Sequence, residues 1–242
     1  DTLLSVPTVT KAVTELIELG YIVEYGKQET SEGRRPILYG LNPESGFFVG
    51  VEIKVDFINL GLMNFRGDLV ELDDNVPCRV DNTMESVEDL CRLVKQFIDK
   101  SEVDKSRIQN IMFCISGRVN SATGYSHTLY NFSEQPLTRL LSDILGYRVD
   151  IENDTRAFAY GEYTKGVVRG ERDVLFINAS WGLGLGIIVD GELYRGKSGF
   201  AGEFGHTHMF DNDILCHCGK KGCLETEASG SAMQRIVRRR IE

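Results

Sequence analysis

The 242-residue chain has little that would place it in a membrane or in an oxidising compartment. No apolar run approaches the length of a transmembrane helix, and the sequence has no low-complexity segment and no repeat. Six cysteines without a hydrophobic leader do not form the framework of a disulfide-stapled secreted domain. A net charge of −9 argues against broad, unspecific nucleic-acid binding, although a small basic module can lie inside an acidic total. We therefore expect a cytoplasmic, globular chain with one large or two modest domains.

Three of the six cysteines and three of the four histidines lie in one segment, HTHMFDNDILCHCGKKGC, residues 206–223. One imidazole and three thiolates spaced as H-x9-C-x-C-x4-C suit tetrahedral zinc with no open position for catalysis. The glycines at 219 and 222 would let this loop turn back on itself. The alternative is a loop of free cysteines with a chance histidine. The predicted zinc ligands are His206, Cys216, Cys218 and Cys223.

The other cysteines and histidines have different interpretations. Cys78, Cys91 and Cys114 stand alone in apolar or amphipathic runs, where a buried cysteine behaves as a small hydrophobic residue. His208 and His217 are interpreted as loop residues, with the second available as a ligand if the first histidine of the segment is too distant.

The first forty residues contain a predicted helix with two different faces. Ser5 is the predicted cap, Pro7 lies in the first turn, and Gly20 ends the helix. Short hydroxyls and one lysine on the polar face can meet phosphates and base edges in a major groove. The polar face consists of Thr8, Thr10, Lys11 and Thr14, and the apolar face of Val9, Ala12, Val13, Leu16 and Ile17.

The next segment, YIVEYGKQETSEGRRPILYGL, has two β-like runs around a polar tip, which is typical of a hairpin wing. Helix and wing together predict a winged helix-turn-helix, with Arg34 and Arg35 of the wing on DNA. The chain opens where the recognition helix should begin, so the preceding helices of the motif are expected to be missing. The alternative is a helix and hairpin that only pack on the body, and four nearby glutamates keep it open.

From about residue 46 the pattern becomes α/β. Strands are predicted in GFFVGVEIKVDFINLGLMN, IQNIMFCISG and RVDIEND, with a helix capped by Ser86 and another between Pro136 and Gly146. RDVLFINASWGLGLGIIVDGELY begins a second unit with strand, glycine turn, strand and hairpin. Two successive units of this kind predict two α/β lobes with a cleft between them. The predicted domains are 1–45, a partial winged helix; 46–170, the first lobe; and 171–242, the second lobe with the zinc loop.

Several motifs resemble those of the ROK family (repressors, open reading frames and kinases), which comprises sugar kinases and sugar-responsive regulators with an actin-like, ribonuclease H-like two-lobed fold. WGLGLGIIVDGELYRGKSGFAGEFGH, residues 181–206, is similar to the family signature, and CHCGKKGCLE is similar to its zinc loop. The opening SVPTVTKAVTELIELGYI resembles the winged-helix end of the family's repressors. The resemblance implies the zinc ligands named above. It also implies that C-terminal helices usual in the family are missing here.

The resemblance implies a sugar site as well. Carboxylates and an amide suit a ring of hydroxyls because they form hydrogen bonds that an apolar competitor cannot make. Zinc would be structural, since it would orient His206 and bring Glu225 to the same side. Without the resemblance, Glu203 and Glu225 would be assigned to a solvated face and Asn153 to a helix cap. The implied sugar ligands are Asn153, Asp154, Glu203, His206, Glu225, Gly117 and Arg118.

Phosphoryl transfer is not expected. Family kinases carry D-x-G-G-T where this chain has EIKVD, and the side chains of Lys54 and Val55 fill space that phosphates require. In the second phosphate loop Trp181 replaces a threonine, and the remaining glycines at 182, 184 and 186 are assigned to tight packing between strands. The expected function is therefore a sugar-responsive DNA-binding regulator, a repressor, without catalytic residues. The alternative is a ROK-type sugar kinase that phosphorylates a hexose or amino sugar with ATP, with Asp154 as the base and Lys54 on a phosphate.

The expected partners are operator DNA, a sugar or sugar phosphate, and further copies of the chain in a dimer or tetramer. Structural zinc is the expected cofactor, and no membrane partner is expected. A third class, a metal-stabilised interaction module with neither sugar nor DNA, would be favoured if no sugar changed the melting temperature.

Overall fold

The computed structural model describes residues 3–27 and 35–241, which belong to two compact units. The first unit takes its residues from Asp1–Val80, Glu85–Phe113 and Leu141–Val149. The second takes them from Asp81–Met84, Cys114–Leu140 and Asp150–Glu242. The domain limits at 45 and 170 stay a prediction.

Twelve strands and six α-helices lie within the described residues. The helices are α1 (Val6–Glu18), α2 (Met84–Lys100), α3 (Leu137–Leu145), α4 (Asp154–Lys165), α5 (Glu225–Ala228) and α6 (Gly230–Ile241). The strands are β1 (Ile22–Lys27), β2 (Ile37–Leu41), β3 (Phe47–Ile53), β4 (Phe57–Asn64), β5 (Leu69–Pro77), β6 (Ile108–Ile115), β7 (Val119–Asn120), β8 (Tyr125–Ser126), β9 (Val149–Asn153), β10 (Val174–Ala179), β11 (Leu183–Val189) and β12 (Glu192–Leu193).

The predicted N-terminal helix and hairpin are confirmed as secondary structure. Ser5 caps α1, and its Oγ accepts a hydrogen bond from the backbone N–H of Thr8 at 3.4 Å. Strands β1 and β2 pair in antiparallel register, with Ile22 opposite Leu41. No described residue of α1 is buried, so the described part of the chain covers the predicted apolar face only in part.

A five-stranded sheet with the order β5-β4-β3-β6-β9 supplies the first hydrophobic core. Strands β3 and β4 are antiparallel, with Val49 opposite Leu62, and both side chains are buried. Alternate residues of β3 are buried, as expected for a strand with one covered face. Strand β5, which pairs with β4, was not predicted.

Helix α2 has the predicted apolar stripe but a different beginning. Val87, Leu90 and Val94 are fully buried, as the 3.6-residue period requires. The helix begins at Met84, however, and Ser86 lies inside it, so the predicted capping box at Ser86 is wrong. The Ser86 hydroxyl instead donates to the backbone carbonyl of Arg79 at 3.1 Å, which satisfies a buried polar group.

In the second unit, β10, β11 and β12 form an antiparallel sheet that packs against α4. A Cβ on Gly184 would overlap the side chain of Thr155, and one on Gly186 would overlap that of Ala159. Glycine is therefore required where β11 crosses α4. Tight packing at these glycines was predicted correctly, but the partner is a helix rather than a neighbouring strand, because α4 was not predicted.

Candidate functional site

Strand β11 supports the polar segments of the second unit through its backbone. Leu185 N–H donates to the carbonyl of Gly202 at 3.2 Å, and Leu183 N–H donates to Glu225 Oε2 at 2.9 Å. A Cβ on Gly202 would overlap the Leu185 carbonyl, and one on Gly205 would overlap the Leu183 carbonyl. The turn of sequence GEFGH and the carboxylate of Glu225 are thereby held against one strand.

The predicted zinc ligands come together beside this strand. His206 Nδ1 lies 3.5 Å from Cys216 Sγ, and the Sγ atoms of Cys218 and Cys223 are 3.6 Å apart. One ligand atom from each of the four residues lies within 4.8 Å of all the others. Atoms bound to tetrahedral zinc at about 2.0–2.3 Å lie about 3.3–3.8 Å from one another. The spacing of these side chains therefore fits zinc.

The backbone of the loop explains how four residues from eighteen positions meet. Cys216 N–H donates to the carbonyl of Lys220 at 2.8 Å, and Gly219 N–H donates to that of Cys216 at 2.9 Å. Gly219 and Gly222 have φ values of 86° and 72°, a region that L side chains rarely adopt. The predicted reversal of the chain at these glycines is confirmed.

The three thiols of the loop differ in the direction in which their surroundings shift the pKa. Burial raises the pKa of Cys216 to about 12, and burial also raises the pKa of Cys223. For Cys218, burial is outweighed by hydrogen bonds from the Lys220 backbone and the neighbouring thiols, so its pKa is lowered. Because zinc binds thiolates, its charge would have to displace protons from the two thiols whose pKa is raised.

The three isolated cysteines lie outside this cluster. Cys78 and Cys91 are 6% and 1% exposed, and burial raises the pKa of Cys91 to about 12. Cys114, on β6, is only half-buried, so the prediction that the isolated cysteines are buried holds for Cys78 and Cys91 and only in part for Cys114. Buried thiols with a raised pKa are unreactive and pack as small apolar side chains.

Asn153 and Asp154 lie at the end of the predicted strand β9, and the unpredicted helix α4 begins there. Asn153 Oδ1 accepts from Arg156 N–H at 3.0 Å and thereby caps α4. Its Nδ2 donates to the Gly117 carbonyl at 3.0 Å and to Asp154 Oδ1 at 3.2 Å. Asp154 Oδ1 also accepts from Thr155 N–H at 2.7 Å. Asn153 is thus a helix cap that also joins two of the predicted sugar ligands.

The SGRV segment contributes mainly backbone to this arrangement. Gly117 has a φ of 87°, and a Cβ there would lie 2.6 Å from Thr128 Oγ1. Arg118 N–H donates to the same hydroxyl at 3.0 Å, and Arg118 is exposed. The structure therefore brings Gly117 to Asn153 and leaves the Arg118 side chain facing solvent.

The other predicted sugar ligands lie beside the zinc set. Glu203 Oε2 is 3.8 Å from His206 Nε2, and Glu225 Oε1 is 3.4 Å from His217 Nε2. The side chains of Glu203 and Glu225 are 28% and 14% exposed. Neither carboxylate therefore lies on a fully solvated face.

A buried arginine was missed in the sequence. Arg156 is 1% exposed, and its Nε donates to Glu152 Oε1 at 2.7 Å. Its two terminal nitrogens donate to the carbonyls of Gly199 and Val119, each at 2.8 Å. One side chain thereby joins α4, β9, β7 and the loop that leads to Glu203.

Glu152 is the anion of this network. Burial alone would raise its pKa, but the charge and hydrogen bond of Arg156, the Asn153 N–H and Arg195 outweigh burial, so the pKa is lowered. Arg195 Nε donates to Glu152 Oε2 at 2.9 Å, and Ser121 donates to the same oxygen at 3.0 Å. The i,i+4 spacing of Glu152 and Arg156 was a usable signal, but it spans a strand–helix junction rather than one helix.

The predicted DNA-binding side chains of α1 are exposed. Lys11 and Thr8 face solvent, while the hydroxyls of Thr10 and Thr14 donate to backbone carbonyls one turn earlier, at 2.9 and 3.0 Å. These hydroxyls retain their acceptor capacity. Arg35 is exposed, and Arg34 lies outside the described residues.

The segment corresponding to the first phosphate loop is a tight turn between β3 and β4. Lys54 forms an ion pair with Glu52, and its N–H donates to the Phe57 carbonyl at 2.9 Å. Val55 and Trp181 are 62% and 55% exposed. Side chains therefore occupy both segments for which the resemblance implied phosphate loops.

The described helices include none that is long and apolar enough to cross a membrane.

Comparison with known proteins gives three findings. A family model described as "ROK family" matches residues 48–242. The xylose repressor of Caldicellulosiruptor bescii is 33% identical over 241 residues, covering 97% of this chain and 59% of the repressor. A solved ROK family transcriptional regulator, described as a homologue of the E. coli MLC protein, is 27% identical with a TM-score of 0.76, covering 98% of this chain and 61% of the other.

A glucokinase matches a smaller share of this chain. The solved ROK family glucokinase from Streptomyces griseus, in complex with glucose and AMPPNP, is 30% identical with a TM-score of 0.69. It covers 81% of this chain, and this chain covers 61% of it. The chain thus spans about three fifths of the length of the relatives it matches.

Proposed function

The chain belongs to the ROK family, and from this premise we propose that it is a sugar-responsive DNA-binding transcriptional regulator that acts as a repressor. A sugar or sugar phosphate would be its effector. Structural zinc would shape the effector site.

The observation that carries the proposal is the extent of the matches. The repressor and regulator cover 97% and 98% of the chain, whereas the glucokinase covers 81% and the family model begins at residue 48. The segment before residue 48 holds α1 and the β1–β2 hairpin. The matches to the repressor and the regulator span nearly the whole chain and therefore include most of this helix and hairpin.

On this proposal α1 and the hairpin form part of a winged helix. Lys11 and Arg35 would contact phosphates, which fix the protein on the duplex without reading its sequence. Thr8, Thr10 and Thr14 would contribute short acceptors in the major groove, and Arg34 would extend the basic wing. The exposure of α1 supports this role.

The effector would be held by side chains that the second unit already fixes. Asn153 and Asp154 would bind hydroxyls from the β9–α4 junction, with the Gly117 carbonyl already engaged by Asn153. Glu203, His206 and Glu225 would bind further hydroxyls, since ionised carboxylates form charge-assisted hydrogen bonds. Arg118, being exposed, would contribute only if it turned toward the effector or met a phosphate group.

Zinc bound by His206, Cys216, Cys218 and Cys223 would supply no chemistry. It would hold the loop in one conformation and fix the orientation of the His206 ring, which is proposed to bind the sugar. The donor set and its spacing support zinc. Glu225 follows the loop by two residues, so the same metal would influence its position.

The partners would be operator DNA and a second copy of the chain. A pseudo-palindromic operator read by a dimer, or by a tetramer of two dimers, would give the symmetry usual for such regulators. The place of action would be the cytoplasm, where the operator lies.

A sugar kinase is the second candidate, because glucokinases are among the relatives. The structure weighs against it at the two phosphate loops. Lys54 is paired with Glu52, and Gly184 and Gly186 are required for packing on α4, so their presence needs no nucleotide. Asp154 would be the base if phosphorylation occurred.

Two measurements on the full chain test the proposal. Duplex DNA selected from a random library should bind, and one sugar or sugar 6-phosphate from a thermal-shift screen should release it. Asp154→Asn should weaken binding of that sugar while leaving DNA binding intact. If no DNA were selected and the chain consumed ATP in the presence of a sugar, the proposed repressor function would be refuted and the kinase function supported.

A further inference from the structure

The two ring nitrogens of His206 face different groups of ligand atoms. Nδ1 lies 3.5 Å from Cys216 Sγ, on the side of the cysteine set. Nε2 lies 3.5 Å from His217 Nε2 and 3.8 Å from Glu203 Oε2. His206 can therefore bind zinc through Nδ1, while Nε2 faces His217 and Glu203.

The distances on the Nε2 side are long for hydrogen bonds. His217 Nε2 is 3.5 Å from His206 Nε2 and 3.4 Å from Glu225 Oε1, whereas N–H···O bonds are usually about 2.7–3.2 Å. Nitrogen and oxygen ligands at about 2.0–2.1 Å from a tetrahedral cation lie about 3.3–3.4 Å apart. The spacing therefore fits a shared cation better than direct hydrogen bonds.

The donors are also held in place. Glu225 Oε2 accepts from the Leu183 N–H, and Oε1 faces His217 Nε2 at 3.4 Å and the Cys216 thiol at 3.9 Å. Ligand atoms of His206, His217 and Glu225 lie within 4.8 Å of one another and of a ligand atom of Cys216, which belongs to the zinc set. Glu203 adds a second carboxylate near the His206 ring.

We propose that His217 Nε2, Glu225 Oε1 and His206 Nε2 form a second divalent-cation position next to the zinc set. Two imidazoles and a carboxylate favour a first-row transition metal such as zinc, cobalt or nickel over magnesium or calcium. With Nδ1 on the first metal, Nε2 can bind a second cation only after its proton has left to solvent, and this loss disfavours the second cation. The second position is therefore weaker than the cysteine set and fills after it.

A consequence rests on the proposed function. The second cation uses Glu225 and the outward nitrogen of His206, which the sugar also requires. Excess metal should therefore lower sugar affinity without removing the structural zinc. The existence of the position itself does not depend on sugar binding.

Cobalt titration of the zinc-stripped full chain tests the position directly. The first equivalent should produce thiolate-to-cobalt charge transfer, whereas the second should bind without adding to it, because its ligands contain no sulfur. His217→Ala should weaken the second equivalent by more than about tenfold and leave the first unchanged. His208→Ala is the matched control, since this exposed histidine of the same loop belongs to neither ligand set.

Elemental analysis after equilibrium dialysis gives the count. Two metals per chain in the wild type and in His208→Ala, but one in His217→Ala, are expected. A single metal in the wild type, or a second one that persists in His217→Ala, overturns the proposal. A second cobalt that His217→Ala removes, in a protein that binds no sugar, supports the metal position and refutes the proposed effector site.

Discussion

The carboxylate of Glu225 is anchored to the backbone of Leu183, whose N–H donates to Oε2 at 2.9 Å. A Cβ on the preceding Gly182 would lie 2.8 Å from the same oxygen, so a side chain at this position would overlap the carboxylate. Glu225, two residues after the cysteine loop, is thus fixed to β11 through one carboxylate oxygen. Its other oxygen faces His217 Nε2 and the Cys216 thiol.

Glu225→Gln should separate binding from folding. The amide keeps the shape and one acceptor oxygen for the Leu183 N–H, but it removes the charge that strengthens hydrogen bonds to hydroxyls. We expect sugar affinity to fall by about 1.5–3 kcal/mol. Isothermal titration with the sugar found in the screen measures the effect. An unchanged affinity would remove Glu225 from the site.

Arg156→Ala should strongly destabilise the second unit, because it leaves the charge of Glu152 buried with a single arginine partner. The expected loss is about 3–5 kcal/mol in the free energy of unfolding. Arg156→Lys restores the charge but not the separate bonds to Gly199 and Val119, so it should recover stability more fully than sugar affinity. Equal recovery of both properties would argue against a role in positioning the loops.

The lowered pKa of Glu152 gives this network a defined pH dependence. A carboxylate whose pKa is lower in the folded protein contributes stability above its ordinary pKa of 4.5, and the contribution is lost as the pH falls through the folded value. Urea unfolding below pH 4.5 should therefore show a steeper loss of stability in the wild type than in Glu152→Gln. Parallel pH profiles would contradict this assignment.

Two glycine substitutions with opposite expectations test the packing of β11 on α4. Gly186→Ala should destabilise by about 1–3 kcal/mol, because its Cβ would overlap Ala159. Gly161→Ala, on the open face of the same helix with no atom within 4 Å, should stabilise by about 0.5–1 kcal/mol. Thermal unfolding compares the pair. Destabilisation by both would contradict the assigned difference between the face of α4 that packs on β11 and its open face.

Local sequence patterns predicted much of the fold because they encode local periodicity and turns. The stripe of α2 and the end of α3 at Gly146 follow from such patterns. The grouping of the four predicted zinc ligands also follows from spacing, since these residues lie within one short loop.

Features that depend on distant segments were not predicted. The burial of Arg156 could not be predicted locally, because its acceptors are the carbonyls of Gly199 and Val119, which are 43 and 37 positions away. The start of α2 was misplaced because Ser86 has its partner in Arg79, outside the helix. Likewise, the glycines of β11 were assigned to neighbouring strands, because a partner helix leaves no mark on the strand's own sequence.

Removal of the proposed phosphate contacts should appear in the salt dependence of DNA binding. Lys11→Ala and Arg35→Ala should each weaken binding and reduce the slope of log K against log salt by about 0.9 for each lost contact. Lys95→Ala is the control, because this exposed lysine belongs to α2 rather than to the helix–hairpin segment. Equal effects of all three substitutions would indicate a general charge effect and exclude the wing.

Loss of zinc should disconnect effector binding from DNA binding. Cys218→Ser removes a proposed zinc ligand whose side chain is exposed, so its main effect should be on the metal. Because a structural metal contributes directly to the folding of its loop, we expect loss of about one zinc per chain, a lower melting temperature and no sugar-induced shift.

DNA binding should persist in Cys218→Ser, since α1 and the hairpin belong to the first compact unit and the loop to the second. The variant would then repress without responding to its effector. Elemental analysis, thermal shift and DNA binding on one preparation measure the three properties together. Native sugar affinity in the zinc-free protein would show that zinc holds only the loop itself, and that Glu225 is positioned by its bond to Leu183.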